Sequence, residues 1–360
     1  MPPTFELRSH FLTVPAIRTE GAPADVPSLE SRLSDPSDRT ISTFQRMSGD
    51  LLVLGAGGKM GPSLVRMARR AADASQRNRR VIAVSRFSDE QVRRQLSDCG
   101  VVTLSGDLLD PQFLRTLPDC ENVMFMAGFK FGATGSPGAA WATNAYLPGA
   151  VMNRFRGSRI VAFSTGNVYG MTDAAGRGSV EIDELRPVGE YAMSAVGRER
   201  VIAFFSDAHQ TPTAIVRLNY AVDLRYGVLV DLATKVFHNE RISLEMGYFN
   251  CIWQGDANAM ALACFDLTAT PSRVLNLTGP DVISTRSVCE EFGRIMNRNV
   301  RFVGQETSTA LLSDAELTLN TLGPLRVTSE ELIYWTADWV SRGGENLNRP
   351  THFDVIDGKF

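Results

Sequence analysis

From residue 50 onward, short apolar runs alternate with amphipathic stretches. Asp50–Gly58 (DLLVLGAGG) is a strand that breaks on glycines, and Pro62–Ser75 (PSLVRMARRAADAS) places its apolar residues at helical spacing. Five more runs follow: Val81–Arg86, Val101–Asp107, Asn122–Gly128, Arg159–Gly166 and Thr213–Asn219. They are continuously apolar rather than alternating, and helical stretches separate them. That pattern predicts a doubly wound α/β fold, a parallel sheet covered on both faces. Beyond Ala221 the alternation loosens. Residues 220–250 and 280–330 are expected to build a smaller lobe over the carboxyl ends of the strands, where such a sheet places its ligand. Residues 1–48 hold six prolines among mixed polar positions and predict an extension with one short helix over Ser28–Leu33. The expected division is therefore an extension (1–48), a Rossmann domain (49–220) and a substrate lobe (221–360), with 251–280 returning to the Rossmann core.

Composition narrows the function classes. A net charge of −3 offers no basic face for a nucleic-acid partner. No apolar stretch reaches the roughly 18 residues of a membrane span, and the first residues lack the basic and apolar regions of a signal peptide. A cytoplasmic protein is expected. The five cysteines are scattered without a CxxC pair and read as reduced thiols. The four histidines are equally dispersed, so no metal site is expected. Lysine is scarce: Lys59, Lys130, Lys235 and Lys359 are the whole set, and arginine carries most of the positive charge.

The segment Gly55-Ala56-Gly57-Gly58-Lys59-Met60-Gly61 lies between the first strand and its helix, with glycines at GxxGxxG spacing. Glycine lets a pyrophosphate approach the backbone, and the helix amino end offers N–H groups and a favourable dipole to the anion. NAD or NADP binding follows. The second strand ends Val84-Ser85-Arg86, with no acid before Asp89. An acid there would hold a ribose 2′-hydroxyl, whereas an arginine accommodates a 2′-phosphate. Arg86, with Lys59 expected close by, favours NADP.

Several further segments, in order, resemble the NAD-dependent epimerase/dehydratase family, of the extended short-chain dehydrogenase/reductase type. Gly106-Asp107-Leu108 is similar to its adenine-contacting turn. Met126-Ala127-Gly128-Phe129-Lys130 is similar to the HxAGxK segment of UDP-galactose 4-epimerases, and Asn144 to the asparagine of the NxxGT helix. Ser164–Gly170 (STGNVYG) matches SSxxVYG, and Tyr191–Ser194 with Glu199 matches YxxSKxxxE. Arg217-Leu-Asn219 resembles an RxxN segment, and Val274–Gly279 a late strand. The resemblance implies hydride transfer between a nicotinamide and a sugar, sugar nucleotide or related polyol or keto compound. Thr165 and Tyr191 would be catalytic, with Lys130 a third candidate. The implied cofactor contacts are Gly55, Gly57, Gly58, Lys59, Met60, Gly61, Arg86, Asp107, Leu108, Ala127, Gly128, Lys130, Asn144 and Tyr191. Asn219 and the lobe residues Arg225, Tyr226 or Trp253 would hold a small sugar-like substrate. A homodimer is implied, pairing the helices around Asn144–Met152 and Tyr191–Phe205.

Two departures matter. The 4,6-dehydratases carry Asp-Glu after the threonine, where this chain has Gly166-Asn167, which removes the acid and base that dehydration needs. The family lysine beside the tyrosine is here Ala195. Without a cation, a tyrosine of pKa about 10 is about one-thousandth ionised at pH 7. Alcohol oxidation, which needs the phenolate, would then be slow, and carbonyl reduction would suffer less. Lys130 is the leading substitute by its place after the fourth strand, and Arg198 the next. Epimerase and reductase both remain open, and the alternative is an NAD(P)-binding sensor or scaffold that has lost its chemistry.

Overall fold

The computed structural model describes residues 21–349, 351–354 and 357–358. The first twenty residues of the N-terminal extension lie outside it.

Seven parallel strands form the centre: β1 (Leu51–Leu54), β2 (Val81–Ser85), β3 (Val102–Ser105), β4 (Asn122–Phe125), β5 (Arg159–Thr165), β6 (Thr213–Leu218) and β7 (Arg273–Leu277). Their spatial order is β7-β6-β5-β4-β1-β2-β3. The order reverses between β1 and β4, and the crevice at their carboxyl ends is where a doubly wound sheet takes a ligand. The continuous apolar runs have their physical reason here. β1 and β4 are buried along their whole length, because helices cover both faces. The edge strand β3 is more exposed.

The helices on the sheet are α3 (Gly61–Ala74), α4 (Glu90–Asp98), α5 (Pro111–Thr116), α6 (Pro137–Trp141), α7 (Leu147–Arg154), α8 (Gly189–His209) and α10 (Gln254–Ala263). Between α6 and α7 the chain winds one π-helical turn over Ala142–Tyr146. Every residue of α10 is buried. The smaller lobe gathers α9 (Val228–Phe237), α11 (Thr285–Met296) and α13 (Ser329–Ser341) around Phe249, Trp253, Phe292 and Trp335. α12 (Glu316–Leu322) lies back against the sheet core through Leu322.

The extension holds two helices where one was expected, α1 (Val26–Leu33) and α2 (Asp38–Arg46). Asp25 and Ser28 form a capping box on α1, and Ser37 caps α2. Leu29 and Leu33 join the lobe core, whereas Phe44 and Met47 join the sheet core. Thr43 and Arg46 bind Asp266, after α10. The second helix was hidden because α2 (DRTISTFQR) is mostly polar in sequence; few residues carry its buried face. No helix among the described residues is long and apolar enough to cross a membrane.

Candidate active site

The glycine loop is shaped by close approaches on three of its four sides. Gly55 sits at φ +93°, and a Cβ there would come within 2.5 Å of the Ala127 nitrogen. A Cβ on Gly57 would press on Ser85 Oγ at 2.5 Å, and one on Gly61 would collide with the Ala56 carbonyl. Gly58 differs: its nearest neighbour would be Gly55 O at 3.5 Å, so the protein itself leaves this side open. Helix α3 starts here without a side-chain cap. Its first N–H groups are thereby left for an anion.

A cleft runs across this loop in two halves. The outer half, about 390 Å³, is lined by Arg86, Phe87, Asp107 and Leu108, together with Gly57 and Ala127. The inner half, about 380 Å³, is lined by Lys59, Met60 and Gly61 from the loop, by Lys130, Thr165 and Tyr191, and by Asn219 and Tyr226 from the side of the lobe. Gly55, Gly58, Met126, Gly128 and Phe129 border both halves. The residues fit a dinucleotide: an open glycine under the junction, an uncapped helix end, and a compartment on either side. Asp89, the first acid after β2, also borders the outer half, but its carboxylate accepts Gln91 N–H at 2.8 Å as the cap of α4.

Lys59 corrects the expectation that it lies beside Arg86. Its ammonium turns into the inner half, 4.0 Å from the Tyr226 ring centre and donating to Ala221 O at 3.3 Å. Burial lowers its pKa to about 8, with Asp223 pulling the other way.

Thr165 ends β5, and Tyr191 stands in the first turn of α8, so strand and helix deliver a hydroxyl pair to one wall. The Tyr191 phenol hydrogen-bonds Thr165. Thr165 Oγ1 also lies 2.9 Å from Asn167 Oδ1. Burial pushes the phenol above its ordinary pKa, while the Arg198 charge and the Thr165 bond pull it back. Lys130 Nζ is 5.6 Å from the Tyr191 ring centre and 5.5 Å from that of Phe131, and burial lowers its pKa to about 8. Ala195 is buried against Val168 and Tyr169 and presents only a methyl group.

Three other residues stand elsewhere than expected. The Asn144 side chain has no capacity left for a cofactor. Its Oδ1 accepts from Phe129 N at 2.9 Å and Arg198 Nη2 at 2.7 Å, and its Nδ2 donates to Phe129 O and Ser194 Oγ. It lies in the π-helical turn and ties that turn to the loop after β4. Arg225 does not border the inner half. Its guanidinium binds Glu30 of α1 at 2.6 Å, with Asp223 and Glu345 alongside, because the extension brings that acid across. Trp253 is fully buried edge-on to Trp335 at 5.8 Å and belongs to the lobe core. Asn219 borders the cleft, but its amide donates to Asn250 Oδ1 at 2.8 Å. Glu199 is buried and bidentate with Arg217, at 2.7 and 3.0 Å, which locks α8 to β6. Arg198 ranks behind Lys130 on sequence alone, yet the 191-195-198 spacing puts all three positions on one face of a helix.

No protein-family model and no curated protein matches the chain. Solved structures do match its fold. The UDP-Glc/GlcNAc 4-epimerase of Campylobacter jejuni aligns with a TM-score of 0.67 at 17% identity, over 82% of this chain and 100% of its own. The dTDP-glucose 4,6-dehydratase of Bacillus anthracis, solved with NAD, gives 0.69 at 15% identity over 82% and 97%. The UDP-glucuronic acid 4-epimerase of Bacillus cereus, also with NAD, gives 0.65 at 14% identity over 81% and 99%.

Proposed function

We propose that this chain is an NAD(P)-dependent oxidoreductase or epimerase of the extended short-chain dehydrogenase/reductase type, acting on a sugar nucleotide or a related polyol or keto compound. The observation that carries the reading is the single cleft over an open Gly58, with Tyr191 and Thr165 on the wall of its inner half. Structures of the same fold were solved with NAD and UDP-sugars. Gly58 and the α3 amino end would hold the pyrophosphate, Asp107 and Leu108 the adenosine side, and Gly128 and Met60 the passage inward. A bound nicotinamide supplies the site with hydride transfer. Tyr191 gives a proton to the substrate oxygen during carbonyl reduction and removes it during alcohol oxidation, and Thr165 holds that oxygen by a hydrogen bond. Lys59, Lys130 and Arg198 border the inner half, and among the described residues no Asp or Glu does. A cation-lined cavity in a chain of net charge −3 favours an anionic substrate, which suits a sugar nucleotide. Arg86 on the outer half favours NADP.

The second reading, a dinucleotide-binding sensor or scaffold, is favoured by Ala195 alone. Pairing of two copies through the α6–α8 face is part of the proposal, because Trp141, Tyr146 and Phe204 are exposed there, Phe204 at 66%. A crystal structure after soaking with NADP and UDP-glucose tests the site. Density for the dinucleotide along the cleft, with a hexose carbon beside Tyr191, is expected; a dinucleotide bound elsewhere, or none, overturns the reading.

A further inference from the structure

Arg198 is 6% exposed, yet among the described residues no carboxylate lies within ion-pairing distance of its guanidinium. Its partners are neutral. Nε donates to Asn144 O at 3.2 Å, Nη1 to Phe163 O at 2.7 Å, and Nη2 to Ala127 O at 3.0 Å and Asn144 Oδ1 at 2.7 Å. Four of its five N–H groups are thus taken by oxygens at the ends of β4 and β5 and in the π-helical turn. The charge is fixed in place but not neutralised, and it borders the inner half of the cleft. A buried cation held only by dipoles is costly unless an anion forms or binds beside it.

The geometry says which anion. Residues 191 and 198 are seven apart on α8, about two turns, and so share a face. A helical side chain leans toward the amino end of its helix, which carries the long Arg198 stem back toward Tyr191. Position 195, between them on that face, is alanine and leaves the path clear. Gly128 clears the other side: a Cβ there would stand 3.0 Å from Arg198 Nη2.

We propose that Arg198 is the positioning residue for Tyr191, a fixed guanidinium one turn past the alanine that supports the phenolate during acid–base work. This rests on the catalytic reading of Tyr191. The other groups facing the phenol do not supply an equivalent charge. Thr165, from the end of β5, is a neutral hydrogen-bond partner, and Tyr226, from the lobe, is a phenol that burial keeps neutral, its own pKa pushed up to about 12. Lys130, from the loop after β4, is a cation 5.6 Å from the ring centre, but burial lowers its pKa to about 8, so unlike a guanidinium it loses its charge before a tyrosine phenol ionises. On α8 itself, Glu190 accepts the Trp141 indole N–H, and Glu199 is matched by Arg217. Burial raises the phenol's pKa, and the Arg198 charge is the largest influence lowering it.

The test needs neither cofactor nor substrate. Tyr191 is replaced by 3,5-difluorotyrosine, whose phenol titrates lower than that of tyrosine, and its ionisation is followed by the fluorine resonance. Arg198→Gln is expected to raise the midpoint by about one pH unit or more, the size of effect an adjacent guanidinium has. Arg198→Lys is expected to hold the midpoint near the parent value, and adding Ala195→Lys to Arg198→Gln to bring it back down. An unmoved midpoint in folded Arg198→Gln overturns the proposal. If that variant does not fold, Arg198→His, neutral at the phenol's midpoint yet still an N–H donor, takes its place with the same two outcomes, and a midpoint raised in Arg198→Lys assigns the effect to lost hydrogen bonds and overturns the proposal. A midpoint that responds as expected in a protein without hydride transfer would sink the enzyme reading and leave the Arg198–Tyr191 coupling standing.

Discussion

Replacing Gly58 with aspartate separates ligand binding from folding, because the structure leaves room for the side chain. The Cβ would touch only Gly55 O, at an ordinary 3.5 Å, and the backbone there is outside the left-handed region. The carboxylate would stand beside the α3 amino end, where the proposed function puts the pyrophosphate. Two unit charges about 4 Å apart at an effective dielectric of about 20 repel by about 4 kcal/mol. That is about a thousandfold in affinity, before any loss of hydrogen bonds to the helix end. Calorimetric titration of NADP and NAD into Gly58→Asp should therefore show binding weakened by about three orders of magnitude, with the melting temperature little changed. Gly58→Ala, steric without charge, should fall between. Gly55→Ala should instead lose stability, since its Cβ meets backbone and its φ is positive. A folded Gly58→Asp protein that binds dinucleotide as tightly as the parent would refute the placement.

Arg86→Ala should weaken NADPH by about tenfold to a hundredfold, the loss of a charge-assisted contact of about 1.5–3 kcal/mol, and change NADH little; tighter NADH binding in the parent would contradict this. Phe204→Glu should convert a dimer into a monomer by light scattering at micromolar concentration, and a monomeric parent would remove the dimer. Lys59 and Lys130, with pKa values lowered to about 8, carry their charge below that pH and lose it above. Affinity of the NADP-loaded protein for UDP-glucose should therefore fall as pH rises through about 8, and Lys59→Met with Lys130→Met should flatten the profile; a profile that keeps its slope would place the titration elsewhere.

The sheet was legible because its inner strands are buried on both faces and announce themselves as apolar runs, whereas the edge strands β3 and β7 are partly exposed and carry polar residues. The glycine loop was legible because its spacing reports backbone approaches that no side chain survives. Side-chain direction was not. Lys59 follows Gly58 directly, yet its stem turns to Tyr226 rather than Arg86, a choice made by a lobe residue 167 positions later in the sequence. Arg225 reads as a free cation until Glu30 arrives from α1. Asn144 looks like a ligand contact until its four hydrogen bonds are counted. In each case a distant segment consumed or redirected a polar group, which local pattern does not report. The shift of charge from position 195 to 198 could be read from helical spacing, but its meaning needed Gly128 and the carbonyls of Ala127 and Phe163.

In the proposed reaction Tyr191 exchanges a proton with a substrate oxygen while hydride moves to or from nicotinamide. The direct test is the near-ultraviolet absorbance of the reduced cofactor in protein loaded with NADPH and mixed with UDP-4-keto sugars, or loaded with NADP and mixed with UDP-sugars. The absorbance should change in the parent protein and stay constant in Tyr191→Phe, with dinucleotide affinity retained in both. A Tyr191→Phe protein that turns over at the parent rate, or a parent protein that binds cofactor and sugar nucleotide together without any change in absorbance, would contradict it.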